Sequence, residues 1–153
     1  MSIDSSDDLH ASARRLSAQL GPLRRRVMQA SRLAAGLPDI PDAQIEVLRR
    51  LDAGGWASPT ALGHALGLAR STVSNLCIAL ERDGLVERRA RVGDARSVEV
   101  GLSERARQIL QHYDASAETV LVAALSTLPA KTQRDIAAAL PALAALAEAI
   151  DAG

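Results

Sequence analysis

The sequence predicts a mainly α-helical fold that carries one small β-hairpin. Apolar residues recur every three or four positions through most of the 153 residues, which is the helical period. Between residues 85 and 102 the period changes to the alternation of β-strands around a short turn. A composition of 48% hydrophobic and 24% charged residues is typical of a globular chain, and without Phe its core must be aliphatic.

The first predicted element is one long amphipathic helix. Its inward positions recur at helical spacing from Leu9 to Leu33, and Asp7 or Asp8 is available as its cap. Pro22 lies inside this helix. Because proline lacks an N–H donor and clashes with the preceding turn, we expect a kink or a break there.

Three shorter helices follow. Residues 42–53 form the second helix, which a pair of glycines ends. Ser58 places a capping hydroxyl before Pro59, so the third helix begins there and ends at Leu66. The fourth helix is predicted over residues 70–82. On a helical wheel its buried face consists of Val73, Leu76, Cys77 and Leu80.

The predicted hairpin carries a cluster of arginines. Its strands cover residues 85–91 and 95–102, on either side of a turn at residues 92–94. The arginines are Arg88, Arg89, Arg91 and Arg96, with Asp94 beside them. A solvated hairpin whose charges prevent edge pairing is the alternative interpretation of this cluster.

Two further helices complete the chain. The first begins at Ser103, and its apolar stripe runs for roughly seven turns up to Pro129. The second carries inward residues from Ile136 to Ile150 and again contains a proline, Pro141. The first of these stripes is longer than a small domain needs for its own core.

Charge restricts the classes of function. The 18 basic and 18 acidic residues give a net charge of zero, whereas a nucleic-acid-binding protein is usually basic. The arginines are unevenly distributed, however, so local charge can still bind an anion. Outside the hairpin, six arginines share the first helix: Arg14, Arg15, Arg24, Arg25, Arg26 and Arg32. For these six, covering apolar surface with their stems and pairing with acids is the alternative.

The sequence also predicts where the protein works. Its single cysteine cannot form an internal disulfide, so nothing favours an oxidising compartment. Residues 1–8 are acidic and lack the order of a signal peptide. The longest apolar run, residues 136–147, is interrupted by Pro141 and is shorter than the ~18 residues of a membrane span. We therefore expect a soluble, cytoplasmic protein with no membrane partner.

A short helix, a tight turn at Gly67, a second helix and a basic hairpin follow one another in the order of a winged helix-turn-helix. The fourth helix begins with small polar side chains that are able to approach base edges. Arg70 lies at its N-terminus, where unpaired amides and the helix dipole favour a phosphate. Arginines on a narrow projection suit the minor groove. The segment is therefore predicted to bind DNA.

Residues 61–76 (ALGHALGLARSTVSNL), 84–89 (GLVERR) and 94–96 (DAR) resemble the MarR family of bacterial transcriptional regulators. The resemblance implies a winged helix-turn-helix at residues 37–102, flanked by helices at 1–36 and 103–153 that form a dimer interface. It further implies a homodimeric repressor that binds a pseudo-palindromic DNA operator and is released by a small-molecule effector. No cofactor is implied.

The resemblance also assigns roles to single residues. It places the small polar residues of the fourth helix in the major groove and Arg96 in the minor groove, while Asp94 holds the wing arginines. The candidate DNA-binding residues are Ser58, Thr60, Arg70, Ser71, Thr72, Ser74, Asn75, Arg88, Arg89, Arg91, Asp94 and Arg96. Trp56, His112 and Tyr113 are the candidate effector-binding residues, and ordinary packing is their alternative.

The chain departs from the family pattern on the fourth helix. Asn75 stands where an arginine is common, and Ile78 and Ala79 occupy positions that are commonly charged. Fewer cations predict a shallower salt dependence of DNA binding. Ile78 is left with three interpretations: contact with a thymine methyl group, with the DNA backbone, or with a partner protein. The second hypothesis for the whole chain is a winged-helix protein-interaction module whose DNA affinity has faded.

Other chemistry has little support in the sequence. Cys77 falls on the buried face of its helix, so an inert core thiol is favoured over an oxidant sensor. His10, His64 and His112 are too far apart in sequence to suggest a metal site. No phosphate loop, nucleophile elbow or catalytic triad pattern is present, so an enzyme is not predicted.

Overall fold

The computed structural model describes residues 5–151, and it contains six helices and one antiparallel hairpin in this range. The elements are α1 (Ser5–Ala35), α2 (Asp42–Gly54), α3 (Pro59–Leu66), α4 (Arg70–Arg82), β1 (Val86–Arg91), β2 (Asp94–Leu102), α5 (Glu104–Ser126) and α6 (Ala130–Asp151). The predicted fold class is confirmed. The bounds of α3 and α4 are those that the capping residues and the helical period predict.

The chain divides into two compact units. One unit runs from Ser31 to Ser116 and contains α2, α3, α4, the hairpin and the first half of α5. The other contains the chain up to Ala30 and the chain from Ala117 onward. Helices α1 and α5 therefore each contribute residues to both units.

The core of the 31–116 unit is mainly aliphatic, as expected without Phe, although its largest fully buried side chain is that of Tyr113. One face of each of α2, α3, α4 and α5 packs into it, together with the base of the hairpin. Its most deeply buried large side chains are Val47, Leu48, Leu51, Leu62, Val73, Leu80, Val100, Leu110 and Tyr113. The predicted buried face of α4 is observed, with Val73, Cys77 and Leu80 fully buried and Leu76 half-buried.

Local sequence explains how α3 and α4 are joined. The Ser58 hydroxyl accepts a hydrogen bond from the Ala61 N–H at 3.1 Å and so caps α3. Gly67 ends α3 with a φ of +64°, a conformation that costs glycine little. The two helices therefore meet at a tight turn, which fixes the direction of α4.

The hairpin is buried at its base and exposed at its tip. Val86 pairs with Leu102, and both side chains lie in the core. The register shifts between Ala90 and Arg91, so Arg91 pairs with Asp94 across the turn. Since every residue of β1 beyond Val86 is exposed, the hairpin projects from the core as the predicted wing.

In the other unit, helices carry large apolar side chains that remain in solvent. Helix α1 continues through Pro22 and α6 continues through Pro141, so neither proline breaks its helix. On α1, Leu9 is 73% exposed, and on α6 Leu140 is 59% exposed. From residue 130 to residue 150, every side chain of α6 is exposed except Gln133, which is half-buried. No helix among residues 5–151 is both long and apolar enough to cross a membrane.

Candidate nucleic-acid interface

A basic groove lies between the start of α3, helix α4 and the hairpin. Its volume is about 420 Å³. It is lined by Ser58, Pro59, Thr60, Arg70, Ser74, Arg88, Arg91, Arg96, Ser97 and Val98. Four guanidinium groups and no carboxylate are among these lining side chains, so the groove attracts anions.

The groove brings together seven of the residues that the sequence predicted for DNA binding. These are Ser58, Thr60, Arg70, Ser74, Arg88, Arg91 and Arg96. They come from three segments that are distant in the chain, and the tight α3–α4 turn and the hairpin register place them side by side. Five candidates lie outside this set: Ser71, Thr72 and Asn75 on the exposed surface of α4, and Arg89 and Asp94 on the hairpin.

The outer face of α4 is polar except at one position. Ser71, Asn75 and Arg82 are exposed along it, and Ile78 lies among them with 57% of its surface in solvent. Arg82 at the end of the helix is bound through its Nε to the Asp83 carboxylate at 3.0 Å. The middle of this face therefore offers hydroxyl, amide and aliphatic groups rather than charge.

The turn of the wing is held by Asp94. Its Oδ1 accepts the Arg96 backbone N–H at 3.1 Å and its Oδ2 accepts the Ser97 hydroxyl at 2.5 Å. The hydrogen bond from Ser97, followed by the one from Arg96, lowers the pKa of Asp94 below its ordinary value. Asp94 thus orders the turn through these two groups, and none of the ion pairs among the described residues includes it.

Carboxylates outside the groove bind three of the wing arginines. Arg88 Nε lies 2.6 Å from Glu81 Oε2. Glu99 accepts Arg89 Nη2 at 3.0 Å and lies 3.9 Å from Arg91 Nε. Within residues 5–151, the guanidinium of Arg96 forms no such ion pair. Arg96 is therefore the wing cation most available to an external anion.

Trp56 supports the base of the wing. The Arg89 guanidinium lies 4.2 Å from the centroid of the indole ring, a cation–π contact. The ring also covers Gly101, where a Cβ atom would come within 2.6 Å of indole carbons. A side chain at residue 101 would displace the ring, so glycine is required for this packing. Sequence reasoning missed this contact because it depends on the three-dimensional path of residues 55–58.

The three candidate effector-binding residues lie in different surroundings. Tyr113 is 1% exposed, and its hydroxyl donates to the Pro38 carbonyl at 2.5 Å. His112 is exposed on α5, and Trp56 lies against the wing. The structure therefore does not assemble these three side chains into one site.

A larger pocket, of about 570 Å³, occurs elsewhere in the 31–116 unit. It is lined by Pro38, Asp39, Ile40, Pro41, Gln44, Arg82, Asp83, Leu85, Arg105 and Ile109. Arg105 donates to the Asp83 carbonyl at 3.2 Å across this region. No motif in the sequence marks this pocket, since its walls come from the 38–41 loop and the ends of three helices.

Cys77 is fully buried in the core. Burial is the main cause that raises the pKa of its thiol, and the nearby Arg88 opposes this effect only in part. The thiol is therefore neutral at ordinary pH, in keeping with an inert core residue. Among the described residues there is no group of three or more His, Cys, Asp or Glu side chains that could hold a metal ion.

Comparison with known proteins identifies relatives of this fold. A sequence model of the MarR family matches residues 40–98. A putative transcriptional regulator from Pseudomonas aeruginosa is 32% identical, with a TM-score of 0.77, over 94% of this chain and 97% of that chain. A transcriptional regulator from Thermotoga maritima is 22% identical, with a TM-score of 0.69, over 92% of this chain and 99% of that one.

One similar structure contains nucleic acid. A MepR mutant from S. aureus, bound to an oligodeoxyribonucleotide, is 20% identical, with a TM-score of 0.63, over 89% of this chain and 96% of that chain. None of the curated proteins matches this chain. The region that the family model matches includes every residue of the basic groove.

Proposed function

This chain belongs to the MarR family of transcription regulators, and we propose that it binds double-stranded DNA as a homodimer. The observation that carries the proposal is the basic groove. Arg70, Arg88, Arg91 and Arg96 line it without a carboxylate, although the whole chain has no net charge. A phosphate backbone is the polyanion that such a groove suits.

Helix α4 is the proposed recognition helix. Its 13 residues are about 20 Å long, and its exposed face is narrow enough for the major groove of B-DNA, which is about 12 Å wide. Ser71, Thr72 and Asn75 are on the surface that would meet base edges. Asn75 is suited to a bidentate contact with adenine.

The hairpin is the proposed minor-groove element. Its tip is exposed, and Asp94 fixes the turn from which Arg96 projects. Because Arg96 forms no ion pair among the described residues, it loses no internal partner when it enters a groove. Minor-groove arginines respond to groove width and potential more than to base identity.

Dimerisation is proposed from the apolar surface of α1 and α6. Leucines and isoleucines on one face of α6 are between 39% and 70% exposed in the single chain. A contiguous apolar surface of this kind marks an interaction site. With a second copy as the partner, a two-fold dimer would bind a pseudo-palindromic operator whose half-sites lie about one helical turn apart.

Control by a small molecule is the last part of the proposal. The 570 Å³ pocket has the size of a small-molecule site, and it includes the end of the recognition helix at Arg82. Tyr113 holds the carbonyl of Pro38, a residue of the pocket wall. A ligand there would release an operator-bound repressor if it favours a dimer state that binds DNA less well.

The test is a gel-shift titration of the full chain against DNA from the region upstream of its own gene. Unrelated competitor DNA and two salt concentrations separate specific from non-specific binding. We expect specific, salt-sensitive binding with a footprint of dimer size. Binding no better than to the competitor, there and at neighbouring promoters, would contradict the proposal. It would favour the protein-interaction module, for which the exposed Ile78 is the supporting observation.

A further inference from the structure

Ile78 is the one large apolar side chain that α4 exposes. Val73, Cys77 and Leu80 are fully buried and Leu76 is half-buried, whereas Ile78 is 57% exposed. Ile78 is three residues after Asn75 and seven after Ser71, so the three side chains share the outer face of the helix. An aliphatic group therefore lies within the polar surface that the proposed function directs at base edges.

The groups on this face match one kind of base pair. Guanine is read most often by Arg or Lys, and the arginines of α4 are at its two ends, Arg70 and Arg82. Adenine is read by an amide such as that of Asn75, and the C5-methyl group of thymine by an aliphatic side chain. The middle of α4 therefore carries an amide and an aliphatic group, which suit adenine and thymine, together with hydroxyl groups that suit any base and no arginine or lysine for guanine.

We propose that Ile78 contacts the C5-methyl group of a thymine in the major groove and so determines part of the operator sequence. The inference rests on the proposed DNA-binding function and assigns its base preference. Asn75 and Ile78 are about 4.5 Å apart along the helix axis, close to the 3.4 Å rise of one base pair. Each half-site should therefore contain two neighbouring A·T pairs, one read by Asn75 and the other by Ile78.

The surroundings of Ile78 favour a thymine methyl over a partner protein. Protein interfaces need a contiguous apolar area of several hundred Å². On the surface of α4, Ile78 has Ser74 and Asn75 on one side and Glu81 and Arg82 on the other, and all four are polar. A single aliphatic group in a polar surface matches a single methyl group.

The test begins with selection from a library of duplexes with about 30 randomised base pairs, enough for two half-sites. The full chain, the Ile78→Ala variant and the Ile78→Val variant are selected in parallel. We expect a thymine at one fixed position of each half-site with the full chain and with Ile78→Val. With Ile78→Ala that position should become variable, while the others stay unchanged. A thermal melt checks that Ile78→Ala, a surface variant, folds like the parent.

The second step replaces that thymine by deoxyuridine in one of the two half-sites, which removes only one methyl group. The affinity of the full chain should fall by about fourfold, the effect expected for one buried methyl group. The affinity of Ile78→Ala should be the same for the thymine and the deoxyuridine duplex. If deoxyuridine at every half-site thymine changes affinity by less than about twofold, or changes it equally in Ile78→Ala, the inference is wrong while the proposed function stands. If no sequence is enriched, both are wrong.

Discussion

At the scale of single residues, Arg96 is the most direct test of the wing. Its guanidinium has no acidic partner among the described residues, and its backbone N–H is held by Asp94. We expect Arg96→Ala to weaken DNA binding and to reduce the slope of log affinity against log salt by about two units per dimer, about one unit for the cation that each of the two wings loses. Fluorescence anisotropy at several salt concentrations measures both quantities.

Arg107→Ala is the matched control for this variant. Arg107 is an exposed arginine of the same unit, but it lies outside the groove and pairs with Glu104. The Arg107→Ala variant should have nearly the same DNA affinity and the same salt slope as the parent protein. Equal effects of the two variants would mean that the wing contributes only general positive charge.

Cys77 tests whether the core thiol has a redox role. Burial raises the pKa of Cys77 above its ordinary value of 9.0, so the reactive thiolate is scarce at pH 8. We expect no modification by iodoacetamide in the folded protein and full modification in urea, as measured by mass spectrometry. Because the pKa of Cys77 is higher in the folded chain than in the unfolded one, its contribution to the free energy of unfolding is fully present below pH 9. That contribution is lost as the pH rises further. Rapid modification of the native protein, with loss of DNA binding, would instead support an oxidant sensor.

At the scale of elements, a carboxylate of the hairpin binds two of the arginines that an external anion would otherwise contact. Glu99 is held between Arg89 and Arg91, and its side chain is only 16% exposed. We expect Glu99→Gln to release both guanidinium groups, to strengthen binding to specific and competitor DNA alike, and to steepen the salt dependence. The same anisotropy titration measures this change.

Glu87→Gln separates this effect from net charge. Glu87 is exposed on β1, opposite Gly101, and the substitution changes the charge of the hairpin by the same amount. If Glu99→Gln strengthens DNA binding no more than Glu87→Gln does, the ion pairs of Glu99 do not limit the arginines.

The sequence predicts the elements well because their signals are local. Ser58 followed by Pro59 is sufficient to start α3, and the period of α4 is sufficient to identify its buried face. The ion pairs of Glu99 with Arg89 and Arg91 were not predictable, because they depend on the register shift between Ala90 and Arg91, and the Arg88–Glu81 pair depends on how β1 packs against α4. Pro22 lies inside a continuous helix, since the 31-residue α1 tolerates one lost hydrogen bond.

At the scale of the whole molecule, zero net charge and a basic groove are compatible. The 18 acidic residues balance the 18 basic ones, but no carboxylate lines the groove. Attraction of an anion to the groove is therefore local, and it should be screened within a Debye length of about 8 Å at physiological salt. The net charge alone does not reveal this attraction, because it averages over the whole surface.

The apolar face of α6 is the proposed dimer interface, and its disruption tests that proposal. Leu140 is 59% exposed in the single chain, and a glutamate there would place a charge in a buried interface. We expect Leu140→Glu to convert a dimer to a monomer in size-exclusion chromatography with light scattering. DNA affinity should fall steeply as well, because one copy reaches only one half-site. Ala145→Glu, roughly 140° around the same exposed helix, introduces the same charge and should leave the dimer intact. A monomeric parent protein, or equal behaviour of the two variants, would show that the exposed face of α6 is not the dimer interface.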